Sequence, residues 1–267
     1  MGRRLAILAG LATALSSARA DGPARAAPAD FKIRVEAYRH QKERVSGGEI
    51  LARGGRVYQF ADESDEVVVI DPGRGMVELI HLKRLVQTEV TFRELDDSLA
   101  RLKATLARAI SRSGKKDDRA DAIEARMGRE LIEPRFQVST DPDGRRIRLA
   151  NPTVEVDAAG EAESDAGRLA LIALSLESFA KLGAFRAPSD LPPFVELEVI
   201  AAMTGDRRLR PSEVTYLYRL AGPPQKVRRT YRLTPALTDR DREGIRRLDR
   251  LREVAPSLRF DQYRRDR

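Results

Sequence analysis

Hydrophobic and polar positions alternate from residue 31 onward. In FKIRVEAY, Phe31, Ile33, Val35 and Ala37 fall on one side, and Lys32, Arg34, Glu36 and Tyr38 on the other. A period of two marks a strand with one buried face. GEILA and RVYQF follow, divided by Gly54-Gly55, a pair suited to a tight hairpin. VVVID and MVELIHL are apolar, strand-like runs on either side of a turn that begins Asp71-Pro72-Gly73. LVQTEV alternates again, with Val86, Thr88 and Val90 on one face. The connections are too short for parallel crossovers, so the stretch predicts a meander of about six antiparallel strands.

The period then changes. Thr91 and Glu94 form T-x-x-E, the signature of a capped helix start. Leu95, Leu99, Leu102, Leu106 and Ile110 recur at helical spacing, which predicts a helix packed on its own sheet. SRSGKKDDRADA reads as the end of that helix and a charged linker. RFQVST, RRIRLA and TVEVDA read as short strands joined at Pro142-Asp143-Gly144 and Asn151-Pro152. An apolar helix is expected near residues 167–182, and a second over SDLPPFVELEVIAAM with prolines in its first turn. SEVTYLYRL and KVRRTYRLT predict a hairpin around Gly222-Pro223-Pro224. A last amphipathic helix begins near Thr238, with Ile245, Leu248 and Leu251 apolar, and FDQYRRDR reads as a frayed, charged tail. The fold class expected is α+β: a curved antiparallel sheet, half-barrel-like, packed against several amphipathic helices.

The N-terminus carries a different signal. MGRRLAILAGLATALSSARA has a basic start at Arg3 and Arg4, an apolar run from Leu5 to Leu15, and Ala18-Arg19-Ala20 as a small-x-small site. This is the pattern of a secretory signal peptide, with cleavage expected between Ala20 and Asp21. The run is too short for the ~20 residues of a spanning helix, and LALIALSL further on is shorter still, so no transmembrane segment is expected in the mature chain. The organisation expected is a signal peptide over 1–20, a loose leader over 21–30, one α+β domain over 31–256, and a charged tail over 257–267. The domain divides into sub-modules of about 31–112 and 133–256. Export, to the periplasm or beyond, is the localisation expected.

Composition narrows the function classes. The 267 residues are 42% hydrophobic and 34% charged, which suits a soluble globular chain. The net charge is +8, of which the first 20 residues carry three arginines and no acid, leaving +5. Arginines number 41 against eight lysines, a bias that nucleic-acid binding would produce. Acids are interleaved throughout, as in DRDREGIRRLDRLRE, and the chain reads as exported, so no nucleic-acid partner is expected. The absence of cysteine removes disulfides, thiol chemistry and a lipid-attachment site.

The most enzyme-like stretch is EVVVIDPGRGMVELIHL. Zinc-dependent cell-wall amidases resemble VVIDPGHGG there, with the histidine on the metal. Here Arg74 holds that position, and a guanidinium stays protonated and does not replace imidazole on zinc. Only two histidines exist, His40 and His81. A nuclease-type metal site would need Asp71 plus further converging carboxylates. Asp-Pro-Gly is also a turn by its own physics, since proline fixes φ and glycine accepts positive φ. Ser178 and Lys181 match S-x-x-K, but the companion S-D-N and K-T-G elements are missing. No catalytic residue, cofactor or metal ligand is therefore assigned from sequence.

The rhythm of RVYQFADESDEVVVIDPGRGMVELIHLKRLVQTEVTFREL, hairpins leading into a capped helix behind an export signal, is similar to exported half-barrel proteins of the lipoprotein-carrier type. It resembles more closely a group of exported proteins from planctomycete-type bacteria, in which Y-x-F, an acidic turn, V-x-D-P-x-R and a later PPF helix recur. The resemblance covers roughly residues 31–110 in rhythm and 192–203 in detail. The carrier likeness implies an apolar groove between a curved sheet and helices that binds acyl chains. The function expected is thus a non-enzymatic binding or carrier protein with a lipid or acyl-chain ligand. Two alternatives stay open at this point. One is a structural or interaction protein of the cell envelope, meeting an envelope protein or anionic polymer; the other is a carboxylate-dependent hydrolase.

Overall fold

The structure, a computed structural model, describes residues 30–40, 42–113, 119–186, 193–220 and 222–265. The expected signal peptide, its expected Ala20–Asp21 junction and nearly all of the expected leader lie outside these residues. The expected meander is present as β1 (Phe31–Arg39), β2 (Glu43–Arg53), β3 (Arg56–Ala61), β4 (Glu66–Asp71), β5 (Met76–His81) and β6 (Val86–Thr91). Helices α1 (Phe92–Ser113) and α2 (Arg119–Ile132) follow, then β7 (Gln137–Thr140), β8 (Arg146–Ala150) and β9 (Val154–Ala162). Next come α3 (Ala166–Arg186), α4 (Phe194–Thr204), the hairpin of β10 (Leu209–Tyr218) and β11 (Gln225–Thr234), α5 (Asp239–Val254) and α6 (Phe260–Arg265). The eleven described strands form one open, curved antiparallel sheet in the order β6-β5-β4-β3-β2-β1-β11-β10-β9-β8-β7. β11 pairs with β1 on one side and β10 on the other, so the late hairpin joins the two halves of the chain. Among the described residues no helix is long and apolar enough to cross a membrane.

Burial explains the difference between alternating and continuous apolar strands. β1 keeps its inward row of Phe31, Ile33 and Ala37 buried, and its other face is more open. β4 is buried at every position because the β2–β5 region is covered on both sides. On one side Ile50, Val57, Val68, Ile70, Val77 and Leu79 join the main core with the helices. On the other, Leu51, Tyr58, Val67, Val69 and Ile80 meet Leu237, Ile245 and Leu248 at and on α5. Burial of that second face on α5 is worth about 25 cal/mol per Å² of apolar surface removed from water. α5 starts where expected: Thr238 and Asp241 complete a reciprocal capping box.

Three expectations are corrected. α1 lies mainly against α2 and α3 and reaches the sheet at β6, where Leu95 joins the main core. Ile110 meets Gly128 of α2 so closely that a Cβ there would lie 2.9 Å from Ile110 Cδ1. α1 ends at Ser113 inside the segment read as its end, but the last part of the expected linker is helix, since α2 opens at Arg119; residues 114–118 lie outside the described residues. The charged tail does not fray over 257–265. Gln87 on the edge strand β6 accepts from Leu258 N at 2.8 Å and donates to Pro256 O at 3.1 Å. Tyr263 is 1% exposed and donates its hydroxyl to Glu66 at 2.7 Å. The reason is physical: an edge strand has unpaired backbone groups, and here the tail satisfies them.

The IDPGRG segment forms the turn between β4 and β5. Asp71 Oδ1 accepts from Arg74 N at 3.1 Å, and Gly75 takes the positive φ, 66°, that the sequence suggested for Gly73. Glu78 and Glu89 stand directly opposite each other on β5 and β6. Like charges in that position repel. Arg74 spans them, donating to each at 2.9 Å. Arg252 of α5 forks onto the buried Glu78 with two bonds of 2.6 Å. Burial works against the Arg252 charge, yet the Glu78 fork outweighs it and raises the guanidinium above its ordinary value. Arg252→Ala would leave the buried Glu78 with Arg74 as its remaining charged partner and is expected to cost about 1.5–3 kcal/mol. Arg74→Ala, at the half-exposed end, is expected to cost about 1 kcal/mol or less. Urea unfolding of both variants checks the order.

Candidate functional site

Period two continues into the late hairpin and sets the site. In β11 the row Val227, Arg229 and Tyr231 faces the helices, and in β10 the row Val214, Tyr216 and Tyr218 does the same. Antiparallel register places Arg229 opposite Ala37 and Tyr231 opposite Val35 on β1. It places Tyr216 opposite Val227 across the hairpin. α3 and α4 lie over these strands, and between them is a cavity of about 780 Å³. That is within the ~300–1,000 Å³ of small-molecule sites.

The lining is divided by strand. β1, β2 and α3 contribute mainly apolar groups, Val35, Ala37, Ile50 and the stripe Leu176, Phe179, Ala180 and Gly183 at i, i+3, i+4 and i+7, with Ser46 of β2 and Gln59 of β3 as neutral polar members on that side. β10, β11 and α4 contribute Tyr216, Tyr218, Arg229, Tyr231 and Glu196. Arg39, His40, Lys226 and the Pro223-Pro224 turn lie at one end of the strands.

Arg229 is the centre of the polar side. It is ion-paired with Glu196 in the first turn of α4 and lies 5.6 Å from the Tyr216 ring centre, a cation–π distance. Tyr231 lies near enough for the guanidinium charge to act on its phenol. Tyr216 and Tyr218 are stacked, 6.0 Å apart and 7° from parallel. The Glu196 carboxylate, working against burial, holds the Arg229 guanidinium well above its usual value. Burial pushes the phenols of Tyr216, Tyr218 and Tyr231 upward, so all three stay protonated and able to donate. The arrangement can bind and orient an amphipathic molecule.

The wall formed by α3 is fixed at its start. Asp165 caps the helix, accepting from Arg168 N at 2.9 Å. Glu163, at the end of β9, accepts from Asp165 N at 2.9 Å and takes a fork from Arg168 at 2.9 and 2.7 Å. These partners, Arg168 first, hold the Glu163 carboxyl below its ordinary range.

The residues singled out from sequence lie mostly elsewhere. Asp71 and Arg74 are in the β4–β5 turn. Ser178 is buried in α3, while Lys181 pairs with Asp96 of α1 at 2.7 Å, so the two do not form a nucleophile–base pair. His40 lines the cavity end, with φ 47°, and His81 accepts from Arg84 N at 3.4 Å. Among the described lining residues Glu196 is the one carboxylate, and no group of three or more His, Asp or Glu is placed to hold a metal. Sequence reasoning missed Arg229, Glu196 and the three tyrosines. The usable signal was in KVRRTYRLT, where one of two adjacent arginines must share the row of Val227 and Tyr231. Comparison with known proteins finds no family model that matches the chain and no match among curated proteins.

Because the Glu163 pKa is lowered on folding, its contribution is present above the ordinary carboxylate pKa, near ~4.3, and is lost as pH falls through its depressed folded value. Glu163→Gln is therefore expected to lower stability by about 1–3 kcal/mol at neutral pH and to flatten the acid loss. Urea unfolding at pH 7 and at pH 3 measures both effects.

Proposed function

We propose that this chain is a non-enzymatic binding or carrier protein for a small molecule with an apolar portion. The observation that carries the proposal is the cavity of about 780 Å³ between the β10-β11-β1-β2 surface and α3 with α4, mainly apolar on one side and polar on the other. An open curved sheet with helices beside an apolar cavity is the arrangement that the likeness to lipoprotein carriers implies, although here α5 also covers the other face of β2–β5. Export is part of the proposal and rests on the sequence of residues 1–20 alone. An envelope-binding role would draw on the arginine bias. On the sheet face away from α3 and α4, however, Arg146 pairs with Asp157, Arg148 and Arg219 with Glu155, and Arg228 with Glu213. Three carboxylates thus occupy four of the arginines that such a role would use.

Gly183 offers a direct test. It lines the cavity, and a Cβ built there meets nothing within 4 Å. Gly183→Leu is expected to weaken saturable binding of a polarity-sensitive fluorescent probe by about tenfold or more, a change of about 1.4 kcal/mol. Leucine is the better helix former by about 0.5–1 kcal/mol, so the melting temperature should hold or rise. Equal probe binding by the variant, or no saturable binding by the wild type, would contradict the proposal.

A further inference from the structure

Resting on the carrier reading, we propose that the cavity selects an amphiphile with one oxyanionic head, bound by Arg229 of β11 beside β10. Its tail would lie across β1 and β2 beneath α3. The division of the lining supplies the direction. The strand order β2-β1-β11-β10 places Ile50, Val35 and Ala37 at one side of the cavity and Tyr216 and Tyr218 at the other. A molecule that satisfies both sides at once must itself be polar at one end and apolar at the other.

Charge supplies the sign. Three cationic side chains line the described cavity, Arg39, Lys226 and Arg229, against one carboxylate, Glu196. Arg229 is in a central strand and faces the helices, yet its side chain is 31% exposed, and that exposure is to the cavity. A guanidinium has five N–H donors in a fork that fits planar oxyanions. The Glu196 pair uses Nη1 and leaves donor capacity for a ligand. Tyr216 and Tyr218 stand beside it, with O–H groups able to donate to the same oxyanion. An ammonium head would meet the Arg229 guanidinium there, with Arg39 and Lys226 at the end of the same cavity. An alcohol head would gain hydrogen bonds but no charge pairing. Glu196 now supplies, from within the protein, the kind of group that the ligand would bring. Ligand and Glu196 therefore compete for Arg229.

That competition yields a test in which removing a carboxylate strengthens binding. The full chain would be titrated by calorimetry with decanoate, decyl phosphate, decanol and decyltrimethylammonium, and with acetate and inorganic phosphate as heads without tails. Decanoate or decyl phosphate should bind at least about tenfold more tightly than decanol, as a charge-assisted bond to a guanidinium allows. The ammonium should bind no better than decanol, and the tailless anions should bind much more weakly than decanoate. Glu196→Gln keeps an amide oxygen for Arg229 but removes the competing charge. It should tighten decanoate by about tenfold and leave decanol within about twofold. Arg229→Gln should abolish the preference. If that variant does not fold, as a melting curve would show, the wild-type series and Glu196→Gln still decide. Equal binding of decanol and decanoate, or no gain for decanoate in Glu196→Gln, would overturn the inference while leaving the carrier reading in place. Failure of every tailed probe to bind would overturn both.

Discussion

Arg229 sits in a row of β11 that an apolar side chain would ordinarily fill, and much of the helical layer follows from that. A guanidinium facing a core must be paired and hydrogen-bonded, because an uncompensated charge there costs several kcal/mol. Glu196 meets the requirement from the first turn of α4, and the Tyr216 ring adds a cation–π contact from the sheet. The pair ties α4 to β11 at a defined place. Polar side chains that reach across to one another do not interdigitate as leucines do. The helical layer here encloses a cavity of about 780 Å³ beside that pair.

The sheet divides stability from site. β2 to β5 are packed on both faces, with α5 closing the second face and the Arg252–Glu78 fork pinning it. The tail continues that closure along the edge of β6. β1, β11 and β10 contribute to the main core through one face only. The cavity opens in this one-sided region, against helices whose starting points are set locally. Glu163 and Asp165 fix the start of α3, and Pro193 takes the N-cap position of α4. The consequence for function is a rigid sheet that presents fixed groups to a helical wall.

Local signals in the sequence translated well. The alternation of β1, the Gly54-Gly55 hairpin with both glycines at positive φ, and the Thr91–Glu94 cap all depend on neighbours within a few residues. α2 was hidden because it is rich in charge and its few apolar residues serve another helix rather than a sheet. The docking of the tail depends on an edge strand far away in sequence, so no local pattern announced it. The site was hidden for the same reason. Arg228 and Arg229 are adjacent and chemically identical, and period two says only that they face opposite ways. Which one meets the helices is decided by pairing with β1 at the other end of the chain. Glu196 and Glu198 pose the same problem on α4. The metal-like IDPGRG segment shows the reverse: a conspicuous motif whose arginine balances two facing glutamates.

The most direct test of the central claim is native mass spectrometry of the protein purified from its own host without detergent. The account requires the mass of the chain plus one small amphiphile, released as an anion on unfolding. The mass of the chain alone, in a preparation shown to be folded, would contradict it.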